Sequence, residues 1–187
     1  MGRSPLSDEE LHLVLDTMVN ESHRGCVLVG VALIEWKLEQ VITVALTARH
    51  EARKVALVEK EIKIMLDPLH EKSVLGSAAA RARMCRVLNL ISDHTHKALK
   101  ELFRFRNQHF AHFRGRAKLT NARIKKDLES LNDRVPYGKT PLVKFDHGKL
   151  DHEHLMFVRI IIYLFLRLEQ GAELARRDPS LPHQAPS

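Results

Sequence analysis

The chain has 187 residues, 44% hydrophobic and 28% charged, a balance that excludes a disordered polymer and is long enough to bury a core. With 30 Lys and Arg against 23 Asp and Glu, the formal net charge is +7. Two cysteines, Cys26 and Cys85, are too few for a disulfide framework and stand in no metal or redox spacing. The stretch from Met1 to Pro5 runs into charge with no apolar segment of its own, so a cytoplasmic protein with two free thiols is expected.

Leu, Ala, Glu, Lys and Arg dominate, and strand formers do not alternate, which predicts an all-α fold: a single-domain bundle of about six to seven helices over residues 1–177. Ser7-Asp8-Glu9-Glu10 has the form of a capping box, and Leu11, Val14, Leu15 and Met18 follow at helical spacing to about Asn20. A second helix is predicted over 22–49, apolar on most sides and therefore central. A third covers 52–66 and stops before Pro68, because the residue preceding proline resists helical angles. After a loop over 67–76, a helix over 77–90 leads through Ser92-Asp93, a turn and N-cap, into a helix ending at Phe113, with Gly115 as its stop. A short basic helix is expected over 121–131, an irregular connection over 132–150 and a last helix over 151–176, with 178–187 as a disordered tail. The apolar segment 155–168 contains Arg159 and Arg167 and is too short and too charged to span a bilayer. There is no internal repeat and no glycine-rich phosphate loop.

Charge is unevenly placed. Residues 102–126 contain eight basic side chains, Arg104, Arg106, Arg114, Arg116, Lys118, Arg123, Lys125 and Lys126, and no acid, which leaves the remainder close to neutral. Such a run suits an anionic partner, nucleic acid among them, and equally a solvated face.

The helix ending at Phe113 holds the most unusual pattern. Leu99, Leu102, Phe103, Phe110 and Phe113 fall on one helical stripe, and Arg106 lies at its centre. Buried in a monomer, that guanidinium requires a carboxylate; facing a second copy or a ligand groove, it is a site residue. Glu35 and Glu39, among apolar residues of the second helix, are the carboxylates expected to pair with it. His109 and His112 lie one turn apart, but no acidic residue nearby in sequence completes a metal set. Asp146-His147 with Asp151-His152-Glu153-His154 has metal-type side chains, but it spans a loop and a helix start, where acids also suit the helix dipole. No metal and no cofactor is expected.

The stretch from Arg24 through Gly25-Cys26-Val27-Leu28-Val29-Gly30 to Glu35 resembles the mannitol operon repressor family. So does the block from Ser77 through Leu88-Asn89-Leu90-Ile91 to Phe105-Arg106-Asn107-Gln108-His109-Phe110-Ala111-His112. Asn89 stands where that family usually has glycine. The resemblance implies a transcriptional regulator. With no helix-turn-helix carrying a basic recognition helix apparent, such a protein would act through protein partners. More distantly, the motif is similar to that of HEPN-type bundles, in which Arg, a polar residue and His recur with four to six residues between Arg and His. Many of those are metal-independent ribonucleases working as homodimers. That likeness implies Arg106 on the scissile phosphate, Asn107 orienting and His112 as acid or base, with Arg104 and the basic run tracking RNA rather than a specific DNA sequence. A third reading makes Arg106 a purely structural lock. The partners expected are therefore a regulatory protein or nucleic acid, with no membrane.

Overall fold

Ser22 begins the helix around which the others assemble: its side chain accepts the Gly25 amide hydrogen bond, and 25 helical residues follow. The computed structural model describes residues 8–48, 52–71, 73–111, 117–135 and 151–177. Among them are seven helices and no strand: α1 Asp8–Asn20, α2 His23–Thr47, α3 Ala52–Leu66, α4 Ala78–Val87, α5 Asp93–His109, α6 Ala122–Asn132 and α7 His152–Arg177. The protein is an all-α single-domain bundle. Ser7, the long connection over 136–150 and the tail expected over 178–187 lie outside the described residues. No described helix is long and apolar enough to cross a membrane.

The two longest helices, α2 and α7, form the axis of the bundle. From α2, Val27, Val31, Ile34, Leu38, Val41 and Ile42 are buried, and from α7 Phe157, Val158, Ile161, Leu164 and Leu168. Apolar residues on nearly every side of α2 are what a helix surrounded by others requires. A methyl group at Gly30 would lie 2.8 Å from Met18 Cε and 2.9 Å from Ile161 Cγ1, so the missing side chain lets α1 and α7 close on α2. Cys26 and Cys85 are buried free thiols, and desolvation pushes both up to about 12, with Asp151 and Glu21 adding to it at Cys26.

Asn89 ends α4 in the left-handed region, with φ 54. The Leu90 amide donates to Cys85 O at 2.9 Å and the Asn89 amide to Arg86 O at 3.1 Å, the two bonds of a Schellman motif. Asparagine tolerates that backbone better than other side chains with a Cβ, so the turn forms here without a glycine. The helix therefore stops at Val87, short of the predicted 90. The turn is then pinned from outside: a methyl at Gly171 of α7 would lie 2.3 Å from Leu90 O.

The largest departure from expectation is the end of α5. Instead of continuing to Phe113, it closes at His109, and the amides of Phe110 and Ala111 both donate to Arg106 O, at 2.8 and 2.9 Å. Tertiary contacts account for the stop. The Phe110 ring is fully buried with its centroid 5.6 Å from Phe105, and His109 is drawn toward α6. Leu99, Leu102, Phe103 and Phe110 occupy the core as the stripe predicts, whereas Phe113 lies outside the described residues.

Candidate functional site

Arg106 sits on the border of the apolar stripe rather than at its centre, with its side chain 31% exposed. One guanidinium nitrogen, Nη2, donates to Glu35 Oε1 of α2 at 2.9 Å, and Nη1 donates to Asn107 Oδ1 at 2.9 Å. Both partners are set by helix geometry: Glu35 projects from α2 where α5 crosses it, and Asn107 is the exposed neighbour of Arg106. A half-exposed pair of this kind contributes about 0.5–1 kcal/mol, enough to hold an orientation but not a fold.

Glu39, the other carboxylate expected for Arg106, faces Arg81 of α4 instead, with Nη1 to Oε2 at 3.8 Å. Arg81 is a buried cation that sequence inspection passed over. Its Nη2 donates to Leu66 O at 2.7 Å and its Nε to Leu75 O at 3.0 Å, so it satisfies a carbonyl at the end of α3 and another in the following loop. The signal was present in the spacing: Ala78, Arg81, Cys85 and Leu88 share one face of a helix.

His109 Nε2 lies 2.8 Å from Asp127 Oδ2 of α6, and its ring meets Phe105 edge-on at 5.3 Å. It is a strut between α5 and α6. His112, the acid-base residue of the ribonuclease reading, lies outside the described residues, as do Arg114 and Arg116.

The basic run divides once it is folded. Arg104 Nη2 meets Glu101 Oε2 at 2.5 Å, one turn away on α5. Lys125 meets Glu153 of α7 at 2.6 Å, and that ammonium holds the buried Glu153 carboxyl below its ordinary range. Lys118, Arg123 and Lys126 are exposed. Half of the described cations of the run thus neutralise acids supplied by other parts of the chain or by the same helix.

Two further polar groups stand apart from these, the first with no sequence expectation and the second built on Asp151 and His154. Lys37, almost fully buried on α2, pairs with Glu169 of α7 and lies 4.8 Å from the centroid of the Phe165 ring. Desolvation, then the Arg176 guanidinium, brings its pKa down to about 8. Around His23, the Leu119 amide donates to Nδ1 at 3.0 Å, so Nε2 carries the proton and donates to Asp151 Oδ2 at 2.7 Å. Asp151 Oδ1 also accepts the His154 amide at the start of α7, and His154 Nε2 donates to Met18 O. With both ring nitrogens of His23 engaged, the cluster ties α1, α2, α7 and the loop before α6 together and leaves the His23 imidazole no free lone pair for proton transfer. Among the described residues, no group of three His, Cys, Asp or Glu is placed to hold a metal ion.

No protein-family model, no curated protein and no solved structure matches this chain.

Proposed function

We propose that the protein is a transcriptional regulator of the kind its sequence resembles, the mannitol operon repressors, and that it works by binding protein partners. The observation that supports a binding role is the state of Arg106. Its guanidinium is engaged by Glu35 and Asn107, so one N–H of each terminal nitrogen is already directed at a group of the same chain. An Arg–carboxylate clasp between α2 and α5 helps to hold that surface in one orientation, as a binding module requires.

Two measurements test this. Deleting the gene should change transcription of a polyol-utilisation operon in the host, and an unchanged transcript profile would end the proposal. Purified protein should leave single-stranded RNA intact. Cleavage by the wild type that His112→Ala abolishes would replace the regulatory reading with the ribonuclease one, whose homodimer would bring two Arg106–His112 pairs together.

A further inference from the structure

A second group of cations, overlapping the basic run at Arg104 alone, converges where α4 meets α5. α4 and α5 are joined by the five residues from Leu88 to Ser92 and pack side by side, so cations distant in sequence share one outward face. On α5, Lys97, Lys100 and Arg104 are all exposed at helical spacing, a row about 10 Å long at 1.5 Å per residue. From α4 come the exposed Arg83 and the half-buried Arg86. The carboxylates on this face are already bound, Asp93 by Arg86 and Glu101 by Arg104. Arg83, Lys97 and Lys100 have no ion-pair partner among the described residues.

His96 reports the convergence. Its imidazole is held below the ordinary range by desolvation first and then by Arg86, Lys100 and Arg83, against the opposing pull of Asp93. Three cations from two helices therefore act on one ring. The frame is rigid, because Asn89 fixes the turn and Gly171 lets α7 press against the Leu90 carbonyl.

We propose that this α4–α5 face docks the phosphodiester backbone of a nucleic-acid duplex, with the unpaired Arg83, Lys97 and Lys100 on its phosphates. Phe103 and Phe105 of α5 are both buried and α4 has no aromatic residue, so the face exposes no Phe, Tyr or Trp as a platform for unpaired bases, and the His96 imidazole is itself half-buried. Point charges without a stacking platform contact the backbone and do not read sequence. The surface would give the regulator a sequence-independent hold near its target, with selectivity left to the protein partner.

Fluorescence anisotropy with a short labelled DNA duplex tests it, beside a duplex RNA, a single strand of equal length and poly-glutamate. Wild type should bind a duplex, and either duplex suffices, with affinity falling steeply in salt. The triple variant Arg83→Ala, Lys97→Ala, Lys100→Ala should lose about tenfold or more and flatten the log–log salt slope by about 2.7, at about 0.9 per phosphate contact. The matched triple Lys118→Ala, Arg123→Ala, Lys126→Ala on the basic run should bind within about twofold of wild type on the same scale. Thermal melts check that both triples fold, and Lys97→Glu alone, also weaker than wild type, serves if the first does not. No duplex binding, equal loss in both triples, or tighter binding of single strand or poly-glutamate would overturn the proposal. Failure would leave the regulatory reading standing, since that rests on Arg106.

Discussion

Two basic regions of this protein differ in a way that density along the chain does not reveal. Residues 102–126 concentrate cations in sequence, yet Arg104, Arg106 and Lys125 each meet a carboxylate once folded. Lys118, Arg123 and Lys126, unpaired among the described residues, are spread over α6 and the loop before it. The α4–α5 face is assembled from residues spread over Arg83 to Arg104, interleaved with acids, yet keeps Arg83, Lys97 and Lys100 unpaired among the described residues. A positive surface depends on which charges lack a partner in space. Local charge count measures the wrong quantity, because side chains three or four residues apart on a helix, or on adjacent helices, neutralise one another.

If the distinction between engaged and free cations is right, engaged ones should cost stability when removed and free ones should not. The largest effect belongs to Arg81. Arg81→Ala would strand Leu66 O, Leu75 O and Glu39 together, and urea unfolding should show a loss of about 2–4 kcal/mol. Gly171→Ala should follow at about 1–3 kcal/mol, since the added methyl meets the Leu90 backbone directly and displaces the turn that aligns α4 with α5. It should therefore also weaken duplex binding without removing any charge. Arg106→Ala should cost only about 0.5–1 kcal/mol, measurable as a small shift of the urea midpoint, because the Glu35 pair is half exposed. Complete unfolding of that variant would favour the purely structural reading of the residue.

Smaller effects separate the regions by pH. Glu153 has its folded pKa lowered chiefly by Lys125, so its pairing stabilises the fold above the ordinary carboxylate range and is lost as pH falls through the depressed value. Lys125→Ala should therefore remove part of the acid limb of the stability–pH curve while leaving neutral-pH binding to duplex unchanged. On the other face, Arg83→Ala or Lys100→Ala should leave stability within about 0.5 kcal/mol. Either should raise the His96 pKa in an NMR titration, because each removes a neighbouring positive charge. A His96 pKa indifferent to both substitutions would mean that the cations do not share one field.

Much of the fold was legible in the chain. The apolar girth of α2, the Pro68 stop, the Ser77, Ser92 and Asn121 caps and the start of α7 at Asp151 are local signals, and the helices begin where those signals stand. Helix ends were less legible. Gly115 marks a stop by local chemistry, but α5 ends six residues earlier because burying Phe110 and pairing His109 with Asp127 outweigh continued helix. The candidate site was legible in part: the pattern asked for a carboxylate opposite Arg106 and named two. Which of Glu35 and Glu39 it is depends on where α5 and α4 cross α2, and Arg81 takes the other.

Sequence by itself determined that this protein is a helical bundle, because periodicity, caps and breakers act over a few residues and need no distant partner. It also singled out Arg106 and two carboxylates that could pair with it, although the guanidinium stands at the border of the apolar stripe with its side chain 31% exposed. Only the tertiary structure decided which cations are neutralised and which face outward. Electrostatic pairing acts over a few ångströms of space and is blind to separation along the chain, so Arg106 finds Glu35 across 71 positions while Lys97 and Lys100 form no ion pair among the described residues.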